Sequence, residues 1–492
     1  MSKYEPSKYQ KAIFEFVKNG NGHAVVQAVA GSGKTTTIVE ATKYIPANEN
    51  SIFLAFGKDI ADELRPKLPR NIECRTTHSF GMSMFSYNGI KARTDFNKQG
   101  TLCYEAVKKK FDFVRDKELF REHLTMLNNL IPKIKSTLTD YTDAYAVEEM
   151  ANQFGYDYNI TPVFMQMLVS VVDKMKDKDQ GIDFNDMLWI PVITNMDCKK
   201  YDWIFVDECQ DLNKAQAELI KRMCDDNTRV IFVGDTYQSI YAFRGADVHS
   251  MDNLQKHFNA KELPLSICYR CGKEQVKLAQ KIVPHIEAND TAPEGIVQEL
   301  EYDEVVDKAE EGDKVICRTN APLVKLAFEF IKHDKKAVVL GQDIGMKLKK
   351  QLEEYQQGNV IDTISKIDEK IQKLNEKYYR YENDDTKTKQ LKQIVSERDS
   401  LETLIVILDN VDTIQQAKNK LFTIFSKEAK GITLSTVHKA KGLEADRVFI
   451  LGYDMMPHPM AKTDEDIQQE YNIKYVAITR SKKELYLIDM KR

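Results

Sequence analysis

At 492 residues the chain is too long to fold around one hydrophobic core, so several domains are expected. Hydrophobic residues make up 42% and charged residues 30%, a balance that excludes a disordered chain. The 71 Lys and Arg stand against 75 Asp and Glu, a net charge of −4, so a bulk basic footprint is absent and any nucleic-acid binding must use a local groove.

The opening segment MSKYEPSKYQKAIFEFV lacks the apolar stretch and cleavage site of a secretory signal. No later run approaches the roughly eighteen apolar residues that cross a bilayer. Cys74, Cys103, Cys198, Cys209, Cys224, Cys268, Cys271 and Cys317 are scattered, as in a reducing compartment, and a cytoplasmic location is expected.

The first predicted strand, HAVVQAV, leads into Ala28-Val-Ala-Gly-Ser-Gly-Lys-Thr35 at the start of a helix. The small residues Ala30, Gly31, Ser32 and Gly33 let backbone N–H groups wrap phosphates, where the helix dipole favours anions. In such a loop Lys34 reaches the terminal phosphates and the Thr35 hydroxyl ligates magnesium. A second strand, SIFLAF, follows, and then residues 86–180 carry helix formers with few strand signals. In Ile204-Phe-Val-Asp-Glu-Cys-Gln-Asp211 an apolar strand ends in two carboxylates, at the edge where parallel sheets bind ligands. Asp207 is the candidate magnesium ligand and Glu208 the group that orients the attacking water. The strand RVIFVGD completes this set.

A second set of strands follows: ELPLSIC, DKVICRT, AVVLG, GITLSTV, DRVFILG and ELYLI. Strands alternating with helices imply parallel sheets covered on both faces. Cys268-Tyr-Arg-Cys271 has the spacing of half a zinc site without a second pair, and reads as two small residues at a strand end. Ile364, Ile367, Ile371, Leu374, Tyr378 and Tyr381 step by three and four, Asn383-Asp-Asp385 marks a turn, and Leu391, Ile394, Leu401, Leu404 and Leu408 form a return stripe. This describes an inserted helical hairpin. The expected architecture is α/β, with two parallel-sheet domains in tandem, each with a helical insertion. The first comprises residues 1–85 and 181–260, with insertion 86–180; the second comprises 261–345 and 421–492, with insertion 346–420.

The remaining motifs resemble those of the UvrD/Rep/PcrA helicases of superfamily 1. Val233-Gly-Asp-Thr-Tyr-Gln-Ser-Ile-Tyr-Ala-Phe-Arg-Gly245 looks like their motif III, and Ser435-Thr-Val-His-Lys-Ala-Lys-Gly-Leu-Glu444 resembles motif V. Tyr475 to Tyr486 resembles motif VI, Leu265 to Arg270 motif IV and Leu54 to Lys58 motif Ia. Thr76 to Gly81 and Asp183 to Met187 match further family segments, and Gln10 sits where the family places an adenine-reading glutamine.

This resemblance implies that the two tandem parallel-sheet domains are RecA-like P-loop domains, with ATP and Mg2+ as cofactors, and single-stranded DNA and a duplex fork as partners. It implies that Lys34 and Gln238 touch the γ-phosphate from the first domain, while Arg270 and Arg480 act from the second as arginine fingers. Glu444 is expected to contact nucleotide and Tyr269 to stack on adenine. Phe56, Phe243 and His438 are the expected base-stacking faces, with Arg244 and Thr436 serving the backbone or orienting these rings. A 3′→5′ polarity follows from the same likeness. Alternatives are a translocase that strips proteins without efficient unwinding, a scaffold with an inactive nucleotide site, and RNA as the track. Three residues depart from the family pattern: Thr36 replaces a frequent Arg over adenine, Phe243 a Trp, and Cys268 an Asn. The second insertion is short, and with motif VI close to the end of the sequence neither the nuclease domain nor the partner-binding tail of some relatives is expected.

Overall fold

The structure is a computed structural model that describes residues 5–177, 180–240, 250–381, 387–426, 431–458, 461 and 463–490. Its internal contacts divide the chain into two units, Met1–Ala28 with Gly33–Leu265 and Val29–Ser32 with Ser266–Arg492.

The first unit is built on six strands: β1 (Ala24–Ala28), β2 (Ser51–Ala55), β3 (Ile72–Thr76), β4 (Trp203–Val206), β5 (Arg229–Gly234) and β6 (Lys261–Leu265). They form one parallel sheet in the order β3-β2-β4-β5-β1-β6. Alternation along each strand feeds two cores. Val26, Phe53, Phe205 and Ile231 enter one cluster; Val25, Ile52, Ile204 and Phe232 enter the other. Burial on both faces explains the nearly continuous apolar runs in the sequence. The chain passes from β1 to β2 across β5 and β4, so the C-terminal ends of β1, β5 and β4 lie side by side at a reversal of strand order, where such sheets bind ligands.

In this first sheet two strands differ from expectation. β6 pairs with β1, Ala24 opposite Lys261 through Ala28 opposite Leu265, and so belongs to the first sheet. The expected boundary at 260/261 therefore moves to Leu265/Ser266. β3 was not anticipated: it is an edge strand whose Glu73 and Arg75 interrupt the apolar pattern.

Between β3 and β4 the chain forms helices Thr77–Tyr87, Lys98–Lys108, Lys117–Thr137, Ala144–Gln153, Pro162–Met175 and Asp186–Ile193. Their apolar faces close around Leu102, Phe120, Leu127, Leu130, Leu168 and Val172. Beside that core lies a buried quartet of charges. Lys98 Nζ reaches Asp186 Oδ2 at 2.8 Å, while Lys135 Nζ reaches Asp183 Oδ2 at 2.8 Å and Asp186 Oδ1 at 2.7 Å.

In the second unit β7 (Ile267–Cys268) pairs with β8 (Glu287–Ala288). β9 (Ile296–Glu299), β10 (Lys314–Cys317), β11 (Ala337–Leu340), β12 (Phe425–Ser426), β13 (Ile432–Thr436), β14 (Ala445–Leu451) and β15 (Ser481–Ile488) make a parallel sheet in the order β12-β11-β13-β10-β14-β15-β9. Helices Gln342–Tyr355, Val360–Tyr381, Thr388–Leu408 and Ile414–Ile424 intervene between β11 and β12. Contacts from Lys370 to Glu397 and from Lys387 to the Tyr381 ring show the middle two running antiparallel. Ile367, Leu374, Ile394, Leu401, Leu404 and Leu408 join the core of the sheet, with Ile364, Ile371, Tyr378 and Tyr381 packed against it. The expected turn at Asn383–Asp385 lies outside the described residues. Among the described residues no helix is long and apolar enough to cross a membrane.

Candidate nucleotide site

β1 ends in a loop whose Gly31 and Gly33 have φ of +68° and +75°, a left-handed conformation that strains residues bearing a Cβ. This lets the loop turn tightly before helix Lys34–Ala41 begins. Ala30 and Ser32 are buried, and the Ser32 hydroxyl oxygen has no hydrogen-bond partner. A buried hydroxyl without a partner costs free energy unless a ligand satisfies it, so the loop fits a phosphate.

Lys34 projects toward the carboxylates that follow β4 and β5. Its ammonium lies 3.3 Å from Glu208 Oε1. Burial alone lowers the Lys34 pKa, but Glu208, Asp235 and Asp207 together outweigh that and raise it. The Thr35 hydroxyl donates to Asp207 Oδ2 at 2.9 Å. Burial, reinforced by Glu208 and opposed by Lys34, pushes Asp207 up to about 6. Asp235 is raised by burial as well, and accepts from Gln238 Nε2 at 2.6 Å. Glu208 adopts φ +52°, turning its side chain at the strand end, and its Oε2 accepts from the Gln210 amide. Gln210 Oε1 in turn accepts the Asp235 N–H at 3.1 Å. One lysine thus faces three carboxylates in a low-dielectric pocket. That charge deficit, with a hydroxyl beside a carboxylate, suits a hard divalent cation with oxygen ligands.

Gln10 is buried on helix Lys8–Asn19, where its Oε1 accepts the Ser7 N–H at 2.9 Å in a capping box. Its Nε2 donates to Thr37 Oγ1 at 3.0 Å, and that hydroxyl donates to Gly33 O at 2.8 Å. The glutamine is thereby tied to the last residue of the loop. Thr36 is exposed.

In the second unit Arg270 follows β7 and its Nε lies 2.6 Å from Glu444 Oε2. Lys482 Nζ lies 2.6 Å from the other oxygen of Glu444. Burial raises the Glu444 pKa, but the Lys482 and Arg270 cations prevail and lower it. Arg480 is fully buried, donating to Val476 O at 2.9 Å, Leu443 O at 3.3 Å and Thr479 Oγ1 at 3.2 Å. Tyr269 is 45% exposed, as a stacking ring requires.

Of the expected strand-contact residues, Phe56 is 48% exposed just after β2. Thr436 caps helix Val437–Ala440, on which His438 lies partly exposed. Phe243 and Arg244 lie outside the described residues. Asp235, Gln210 and Lys482 have no role in the motifs as read from sequence, although all three sit within those segments. A second flat face also goes unread there: the His78 ring stacks on Phe184 at 3.8 Å and 19°, and Phe184 is 54% exposed. Both belong to segments matched to the family.

Strand, glycine loop, helix and the carboxylates after β4 define a P-loop nucleotide-binding fold with tandem RecA-like sheets. The model of the UvrD/REP helicase N-terminal domain matches residues 9–259, and that of the UvrD-like helicase C-terminal domain matches residues 431–488. The chain belongs to the UvrD/REP helicase family. It is 24% identical to F-box DNA helicase protein 1 of Schizosaccharomyces pombe, over 98% of this chain and 57% of that protein. It is 23% identical to the ATP-dependent DNA helicase PcrA of Staphylococcus epidermidis, over 96% of this chain and 82% of PcrA. Identity to the ATP-dependent DNA helicase Rep of Buchnera aphidicola is 26%, over 56% of this chain and 43% of Rep.

Proposed function

We propose that the chain is an ATP-dependent DNA helicase that moves 3′→5′ along single-stranded DNA and separates the duplex ahead of it. The observation that carries this reading is the cluster of Lys34 with Asp207, Glu208 and Asp235 at the end of the glycine loop. Backbone N–H groups of residues 30–35 and the Ser32 hydroxyl hold the phosphates, and Thr35 and Asp207 hold Mg2+. Bound there, the ion would screen phosphate charge and polarise the terminal phosphoryl group. Lys34 leaves Glu208 for the phosphate oxygens, which frees that carboxylate to accept a proton from the attacking water. Arg270 and Arg480 supply guanidinium charge from the second unit, Arg480 after exchanging its present carbonyl partners. Tyr269 stacks on adenine, Gln10 reads its edge, and Gln238 links Asp235 to the phosphate.

Phe56, Phe243 and His438 stack bases, with Arg244 and Thr436 beside them on the backbone; such stacking tolerates any sequence. Polarity and unwinding are tested together by strand displacement on partial duplexes with either a 3′ or a 5′ tail. Displacement from the 3′-tailed substrate alone is expected. Displacement from the 5′-tailed one would reverse the polarity. ATP-dependent removal of a bound protein without strand separation would establish the stripping translocase instead.

A further inference from the structure

The thiols of Cys268 and Cys271 take no part in the phosphate chemistry above, yet they stand on either side of Tyr269 and Arg270. Cys268 ends β7, and Cys271 lies just before helix Lys273–Ala279. Both side chains are buried while Tyr269 between them is exposed, so the thiols lie one layer beneath the surface. The Cys271 N–H donates to Cys268 Sγ at 3.5 Å, and Cys271 Sγ lies 3.7 Å from Thr479 O. The neighbouring Cys271 thiol brings Cys268 down to about 7, helped by the backbone at 270 and 271 and by the Arg270 charge against the cost of burial. Cys271 is held well above the ordinary thiol value by Cys268 and by burial. Burial raises all the other cysteines, Cys74, Cys103, Cys198, Cys209, Cys224 and Cys317. Reactivity follows thiolate character, so this pair stands apart: one sulfur nucleophilic near neutral pH and a second thiol in reach to resolve it.

We propose that Cys268 and Cys271 are a modification site for peroxide, closing to a reversible disulfide that disables the arginine half of the nucleotide site. The Cys268 thiolate attacks one oxygen of hydrogen peroxide and the O–O bond breaks. Hydroxide leaves and takes a proton from solvent, giving water and a sulfenic acid on Cys268. The Cys271 sulfur then attacks Cys268 sulfur, the S–O bond breaks, and the hydroxyl departs as a second water with the Cys271 proton. The two thiols lose two electrons and peroxide gains them. A dithiol reductant reverses the change by thiol–disulfide exchange and is itself oxidised to a disulfide. An S–S bond of about 2.05 Å draws the two sulfurs far inside their non-bonded separation. Tyr269 and Arg270, the two residues enclosed, shift with them, and the 2.6 Å contact between Arg270 and Glu444 is broken. The effect on hydrolysis rests on the helicase reading; the disulfide does not.

The test treats the reduced full chain with hydrogen peroxide, alkylates remaining thiols, maps peptides by mass, and follows strand-stimulated phosphate release in parallel. A peptide in which Cys268 and Cys271 are linked is expected, with hydrolysis lowered roughly 10²-fold or more, as when one preorganised electrostatic group is lost. Dithiothreitol should restore both. Cys271→Ser should hydrolyse ATP normally when reduced and lose that reversible inhibition. Alkylation of both thiols after peroxide, a linked peptide with an unaltered rate, or equal inhibition of Cys271→Ser would each overturn the proposal. The wild-type peptide map decides the disulfide even where the variant folds poorly. Reduced wild type that fails to hydrolyse ATP contradicts the helicase reading alone.

Discussion

Two clusters of buried charge lie in the first unit, and they are balanced differently. In the helical insertion two lysines, Lys98 and Lys135, meet two aspartates, Asp183 and Asp186. Lys98 also donates to Met175 O at 2.6 Å and Gly181 O at 2.7 Å, so this cluster is closed on itself. At the glycine loop one lysine meets Asp207, Glu208 and Asp235, and burial pushes both aspartates up. Removing charge from water costs several kcal/mol per ion unless it is compensated. The balanced cluster meets that cost internally and serves structure. The unbalanced one is left open, and under the proposed function an external cation and a phosphate complete it.

The largest expected effect comes from breaking the unbalanced cluster. Lys34→Ala or Glu208→Gln should reduce strand-stimulated phosphate release by roughly 10²–10³-fold or more, the scale of one preorganised electrostatic group. Glu208→Gln removes one of three like charges, so its melting temperature should hold or rise, as happens where a site is built for activity. Near-normal turnover in either variant would place the chemistry elsewhere.

Breaking the balanced cluster should do the opposite. Lys135→Met leaves two buried carboxylates short of a partner and is expected to cost about 3–5 kcal/mol in denaturant unfolding. Hydrolysis per folded molecule should be retained. A stable variant without activity would show that the quartet belongs to the site.

Effects on strand contact should be smaller. Phe56→Ala and His438→Ala each remove a stacking face, and single-strand binding should weaken by about 1–3 kcal/mol while basal hydrolysis is spared. A collapse of basal hydrolysis at constant strand affinity would assign both to the nucleotide instead.

The smallest effect sharpens the comparison by pH. Burial against Phe184 lowers His78 from 6.5 to about 4, so the folded protein holds this ring neutral. The stability it contributes is fully present above pH 6.5 and is lost as pH falls toward 4, because the unfolded chain takes up the proton first. His78→Gln should lose less stability than wild type between neutral pH and pH 4.5; an identical pH profile of unfolding would remove His78 from the account.

Much of this was legible in the sequence wherever burial is two-sided. β1, β2, β4 and β5 are read directly from their apolar runs, and the phosphate loop and Asp207–Glu208 are adjacent to them in the chain. β3 and β9 were missed because each is an edge strand, where Glu73 and Arg75 or Gln298 and Glu299 break the pattern. β6 was recognised as a strand but given to the wrong sheet, since a strand's own residues do not say which neighbour it pairs with. The roles of Asp235 and Gln210 depend on distances across the sheet. Lys98 and Lys135 look like ordinary surface lysines of amphipathic helices, and nothing local marks them as buried.

The proposal that the charge deficit at the glycine loop is a site for Mg2+ and ATP, coupled to single-stranded DNA, underlies the expected effects on hydrolysis and strand binding. Its most direct test is phosphate release from ATP by the wild-type chain, measured with and without a single-stranded oligonucleotide, in Mg2+ and in EDTA. The account predicts hydrolysis that the strand accelerates and that EDTA abolishes. Hydrolysis that persists in EDTA, or that ignores the strand, would contradict it.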